Sequence, residues 1–256
     1  MTQVTFKICP YVGGSKSVKQ LRHDLEERLG HKVVTIPPEY VASSNERIIN
    51  WGNSSFRGNQ KPDATNVICL NSAAAVQRSI NKIHFFQCLD EAKLPIPEWT
   101  TDADVALKWI KQNRKVFCRA QIAGRDGRGI VVASTPAELI VAPLYTKLVP
   151  STREYRVFVF RTQAIYNLTK MARPTADLAR LARTRENGWF YSMHQSVPFA
   201  AQELAVQVRE ALGLTFCAVD ILFNAKTGKF TALESNSAPG TRPSSRAALI
   251  DAFLGT

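Results

Sequence analysis

Residues 217–236, CAVDILFNAKTGKFTALESN, constrain this chain more than any other stretch. Two apolar runs flank the short Gly-containing turn NAKTG, which reads as a β-hairpin. Counting back from the turn places Asp220 and Glu234 opposite each other or within one position. Like charges facing across a hairpin repel. The cost rises when their neighbours are Val219, Ile221, Ala232 and Leu233. A divalent cation between the two acids removes the conflict. Asn236, two residues beyond Glu234, shares its face and adds an oxygen. A small set of oxygen ligands suits Mg²⁺, which keeps positions for phosphate and water. The competing reading is an exposed hairpin with its acids in water.

Other segments carry weaker signals. QIAGRDGRGIVVAS is a strand, a Gly-rich loop containing Gly127 and Gly129, and a strand. Such a loop can fold over phosphates, although a plain hairpin loop has the same pattern. It is no Walker loop, because no Gly-Lys-Ser/Thr follows. Lys82 at a helix start, Arg119 on a strand, Arg156 in REYRVFV and Lys170 are isolated cations, for which surface ion pairing is the alternative. PYVGGSKS, ahead of the first helix, is either an anion site or an ordinary βα loop.

The 256 residues, 45% hydrophobic and 21% charged, describe a globular chain of one large domain or two small ones. No apolar run approaches the roughly 18 residues of a membrane span. The start lacks a signal-peptide pattern, so a cytoplasmic protein is expected. Cys9, Cys69, Cys88, Cys118 and Cys217 are scattered, which argues against a disulfide framework or a cysteine-ligated zinc site. His84 and His194 stand alone. The formal charge of +12 favours acidic partners, and residues 147–185 hold nine Lys/Arg against two acids.

The hydropathy pattern predicts a βαβ opening: strand VTFKIC, a helix capped by Ser17 and stopped by Gly30, strand HKVVTI, an irregular stretch 37–65, and strand NVICL. Trp51 and Asn53 in that stretch are either pocket residues, core or plain loop. A helix NKIHFFQCLDEAKL, strand EWTT and an Asp-capped helix DADVALKWIKQNR follow. KVFCRA, GIVVAS, APLYTKLV, REYRVFVFR and QAIYNLTKM are strand candidates. A basic stretch, helix AAQELAVQVREALGL, the hairpin and the helix RPSSRAALIDAFLG complete the chain. The fold class is α/β passing into α+β.

In sequence order these pieces resemble the ATP-grasp superfamily: Asn81-Lys82 opening a helix with LPIP after it, RKVFCRA, AGRDGRGI, the hinge YTKLVP, EYRVFVF, and VDILF…LESNSAPG. The resemblance spans about residues 72–242 and is nearest to the glutathione-synthetase-like and ribosomal-protein glutamate-ligase branches. The whole chain is also similar to small ATP-grasp proteins encoded by bacteriophages, which would place it in the host cytoplasm.

The resemblance implies an N-terminal unit over 1–80, a lid subdomain over 81–142 and a C-terminal subdomain over 143–256, the last two gripping ATP. It implies that Lys82 and Arg119 contact phosphates under the loop holding Gly127 and Gly129. Residues 145–148, with Lys147 and Leu148, read adenine. Arg156 and Lys170 serve the transferred group. Asp220, Glu234 and Asn236 hold Mg²⁺. The implied reaction activates a carboxylate, of a small molecule or a peptide, as an acyl phosphate that an amine then attacks. The charge suits an acidic or nucleotide-type acceptor.

The sequence departs from the family at Arg119, where Lys is usual, and at Thr146 and Lys147, where the hinge usually carries Glu or Gln. It also lacks the Arg-x-Asn pattern of the glutamate ligases. An ATP-grasp kinase acting on a hydroxyl and a non-catalytic binder of nucleic acid or protein are the competing functions.

Overall fold

The computed structural model describes residues 4–11, 15–123, 129–177, 181, 183–193 and 196–256. The opening strand, helix and strand form where the apolar spacing puts them, as β1 (Thr5–Pro10), α1 (Lys16–Leu29) and β2 (Val34–Thr35). α1 buries Val18, Leu21 and Leu25 and ends at Gly30, whose φ of 67° lies in the left-handed region. Its cap is Ser15, not Ser17: the Ser15 hydroxyl accepts from the Val18 N–H, and a polar first turn precedes the apolar stripe. Gly13 and Gly14 of the preceding turn lie outside the described residues.

The stretch 37–65 is not irregular throughout. It contains β3 (Glu46–Trp51), a strand buried along its whole length. β3 pairs in parallel with β1 and with β4 (Ile68–Leu70), giving the order β2-β1-β3-β4. Polar residues disguise it, and each is buried with a partner. Glu46 accepts from the Tyr40 hydroxyl at 2.9 Å, Arg47 donates to the Asn66 carbonyl at 2.8 Å, and Asn50 accepts from the Asn53 N–H at 2.8 Å. Trp51 stacks on Phe216 in the core with ring centroids 5.6 Å apart. Asn53 pins its loop to the Pro10 carbonyl at 2.8 Å. Both residues are therefore structural.

Two further sheets follow. α2 (Ala73–Ile80), which the sequence reading had not marked, leads into α3 (Lys82–Glu91). Strands β5 (Trp99–Thr100), β6 (Val116–Arg119), β7 (Ile130–Ala133) and β8 (Leu144–Lys147) form an antiparallel sheet of order β5-β8-β6-β7. α4 (Ala103–Lys111), capped by Asp102 as expected, packs on it. The large sheet, β11-β10-β9-β12-β13, comprises β9 (Arg153–Phe160), β10 (Gln163–Ala172), β11 (Trp189–Ser192), β12 (Phe216–Asn224) and β13 (Lys229–Asn236). α5 (Phe199–Ala211) lies between β11 and β12, and α6 (Pro243–Leu254) ends the chain.

Strand alternation in the large sheet explains where the site sits. Tyr155, Val157 and Val159 of β9 and Cys217, Val219 and Ile221 of β12 enter a core shared with α3 and α5. On the opposite face, Phe158, Phe160, Phe216 and Ala218 enter a second core with β1, α1 and α6. That second core covers only one end of the face. At the uncovered end, the same alternation turns Glu154, Arg156, Asp220 and Leu222 toward a cleft.

Candidate active site

The hairpin forms as the sequence predicts. Asn224 Oδ1 accepts from the Lys226 and Thr227 N–H groups, and Gly228 takes a φ of 67°. Asp220 pairs with Glu234 across β12 and β13. Register shifts between Asp220 and Ile221, because Ile221 pairs with Ala232 and leaves Leu233 as the extra residue. The row continues across the sheet, with Asp220 opposite Arg156 and Arg156 opposite Leu168. One row further along, Leu222 pairs with Glu154 and Lys170 with Tyr191. Arg156, Lys170, Asp220 and Glu234 are thus brought together by register alone.

Three ion pairs relieve the acid–acid repulsion. Arg156 forks onto Asp220, Nε to Oδ1 at 2.6 Å and an Nη to Oδ2 at 2.7 Å. Lys82 donates to Glu234 Oε2 at 2.8 Å, and Lys170 donates to Glu154 Oε1 at 2.5 Å. Lys82 opens α3, where a cation opposes the helix dipole. Asn81 satisfies the freed N–H groups of Ile83 and His84, and the ammonium turns to the acid. Burial alone would raise the Glu234 carboxyl, but Lys82 and then Arg156 outweigh it and hold the group well below the usual carboxylate range. Burial raises Glu154 more than Lys170 lowers it. Burial lowers Arg156, but Asp220, joined by Tyr191 and Glu234, outweighs it and lifts the group well above its ordinary value.

These residues floor a cleft of about 650 Å³ between the large sheet and the β5–β8 sheet. That volume falls within the usual size of small-molecule sites. Its described lining holds nine Lys/Arg and three acids, Glu154, Asp220 and Glu234. Each acid already has a cation, so the surplus charge is positive. Arg119 stands out. Its Nε is buried and has no hydrogen-bond partner. Burial lowers its affinity for the proton, with Glu234 opposing. A buried guanidinium N–H left this way has room for an acceptor.

The other expected residues sort as follows. Lys147 and Leu148 line the cleft. Their N–H groups already donate to the carbonyls of Glu98 and Lys115 at 2.9 Å each. The Lys147 ammonium pairs with Glu98 at 2.5 Å and lies over Trp109. Gly129, with a φ of 71°, closes the β6–β7 hairpin through its carbonyl to the Ala120 N–H at 2.8 Å. Gly127 lies outside the described residues, as does His194. Asn236 donates to Glu234 Oε1 at 3.3 Å. Among the described residues no group of three or more His, Cys, Asp and Glu gathers as a metal cage. The oxygens on offer are those of two carboxylates and one amide.

Sequence reasoning missed Glu154, Tyr191 and the arginines Arg173, Arg183, Arg185 and Arg242, all on the cleft wall. The basic stretch thus lines a concave site rather than only a convex face, which disfavours a surface stripe for nucleic acid. WFYS, a short aromatic run after many basic residues, was the available signal for β11.

No protein-family model matches the sequence, and no curated protein matches it either. Solved structures do. The ATP-grasp ligase PsnB complexed with minimal precursor, Mg and ADP is 16% identical, covering 100% of this chain and 98% of that one, with a TM-score of 0.70. D-alanyl-alanine synthetase A from Vibrio cholerae is 14% identical, with coverages of 100% and 99% and a TM-score of 0.68. A RiPP-associated ATP-grasp ligase from Chryseobacterium gregarium, in complex with ADP and a leader and core peptide, is 12% identical, with coverages of 99% and 97% and a TM-score of 0.69. Likeness over whole chains at such low identity speaks for architecture, and the architecture of this chain is the ATP-grasp fold of those ligases.

Proposed function

We propose that this chain is an ATP-dependent ligase that joins a carboxylate to an amine through an acyl phosphate. The observation that carries the proposal is the cationic cleft, with the unpaired Nε of Arg119, in a fold shared with ATP-grasp ligases. Arg119 and Lys82 would take the ATP phosphates, which would give that N–H an acceptor. Residues 146–148 would border the base. Asp220, Glu234 and Asn236 fit Mg²⁺, since Glu234 is 32% exposed and shares one face with the other two. Held there, Mg²⁺ would neutralise negative charge on the ATP phosphates.

The cations on the cleft floor do the remaining work. A substrate carboxylate oxygen attacks the γ-phosphorus, and ADP leaves with the bonding pair. Arg156 and Lys170, released from Asp220 and Glu154, stabilise the oxygens of the migrating group. The amine then attacks the acyl carbon, loses a proton, and phosphate departs. One of the similar structures was determined with a leader and core peptide, which makes peptide carboxylates the substrates to test first.

Hydroxylamine provides the test. Incubation with Mg·ATP and a panel of acidic peptides and amino acids should give a hydroxamate and an equal amount of ADP. ADP with a stable phosphorylated product and no hydroxamate would instead establish the kinase reaction.

A further inference from the structure

Tyr191 has a place in this cleft that neither the sequence motifs nor the ligase chemistry above has used. It sits on β11, in register with Lys170 on β10. The guanidinium carbon of Arg156 lies 4.3 Å from its ring centroid, and the Lys170 ammonium lies 5.1 Å from it. One aromatic ring therefore lies against the two cations that hold Asp220 and Glu154. The phenol oxygen is buried and has no hydrogen-bond partner.

A ring alone would support the two cations. Phenylalanine offers the same π face and leaves no polar atom unsatisfied. A buried hydroxyl without a partner is destabilising, so its presence needs another explanation. A phenol is a neutral O–H donor at ordinary pH. Its ring is flanked by two cations, each tethered to an acid. A phosphoryl group that draws Arg156 off Asp220, or Lys170 off Glu154, would come up against the Tyr191 ring that both cations flank.

We propose that the Tyr191 hydroxyl donates a hydrogen bond to an oxygen of the transferred phosphoryl group, forming with Arg156 and Lys170 a three-donor site. This rests on the ligase reading, because it presumes phosphoryl transfer in the cleft. Tyr191 contributes a donor without a charge. Two cations plus a neutral donor match an oxygen set whose charge spreads as the group moves between nucleotide and carboxylate.

Inorganic phosphate added to the Mg·ADP complex is the probe, since it stands for the group in transit. Its Kd is measured calorimetrically for the wild type, Tyr191→Phe and Tyr191→Leu, each saturated with Mg·ADP. Tyr191→Phe is expected to bind Mg·ADP as the wild type does, to melt at the same temperature or higher without ligand, and to bind phosphate about tenfold more weakly. Tyr191→Leu, which also removes the platform, should bind phosphate more weakly still. Phosphate should perturb the tyrosine ultraviolet difference spectrum of the wild type and leave that of Tyr191→Phe unchanged. Equal phosphate affinities in the wild type and Tyr191→Phe, or no phosphate binding to the wild-type Mg·ADP complex at 10 times its ADP concentration, overturn the assignment. Failure of the wild type to bind Mg·ADP at all is a different result: it rejects the ligase reading itself.

Discussion

At the scale of single residues, the site is a set of matched charges waiting for a ligand. Lys82 satisfies Glu234 in the free protein, and under the proposed function it would turn to phosphate when a nucleotide binds. Lys82→Ala should therefore weaken ATP by about 10–100-fold, the value of a charged hydrogen bond of roughly 1.5–3 kcal/mol, with the fold intact by circular dichroism. Glu234 sets a pH dependence of definite sign. Its folded carboxyl lies below the unfolded value of about 4.3, so its contribution is fully present above that pH and fades as pH falls. Denaturant titrations in EDTA should show stability dropping on the acid side of pH 4.3, with a shallower drop in Glu234→Gln. The thiols behave oppositely. Burial pushes Cys9 up to about 11 and Cys217 to about 12, and the other three are raised as well. A thiol reagent at pH 8 should label the native chain slowly and all five cysteines after denaturation.

Elements explain what was legible in advance. The hairpin β12–β13 was readable because its turn, its apolar flanks and its two acids are all local. The Asp102 cap of α4 was readable for the same reason. β3 was hidden because Glu46, Arg47 and Asn50 are polar, and their partners Tyr40, Asn66 and Asn53 come from loops that only the folded chain brings near. β11 was hidden because four residues are too few to show a period. The β12–β13 floor of the cleft and Lys170 on β10 could thus be named from sequence, and the β11 wall with Tyr191 could not. Elements also hold the units together. Phe253 of α6 packs edge-on against Phe160 and Phe216, with centroids 5.9 and 5.0 Å away, and joins the terminal helix to the large sheet. Phe253→Ala should cost about 3–5 kcal/mol. In a chain of this length that lowers Tm by roughly 6–20 °C. Calorimetry would read it directly.

For the whole molecule, the arrangement follows from one sheet face shared by two tasks. One end of that face is sealed by β1, α1 and α6, and the other is left as the floor of a cationic cleft under the β5–β8 sheet. The formal charge of +12 is concentrated where an anion would be held. No helix among the described residues is long and apolar enough to cross a membrane. Binding of Mg·ATP in this cleft through Glu234 and its neighbours is read by thermal unfolding with and without Mg·ATP, run beside Glu234→Ala. At about 100 times Kd, binding adds roughly 2.7 kcal/mol, a rise of about 5–11 °C for a chain of this size. The account predicts that rise in the wild type and its loss in a folded Glu234→Ala. An unchanged Tm in the wild type at millimolar Mg·ATP, or an equal rise in both proteins, would contradict it.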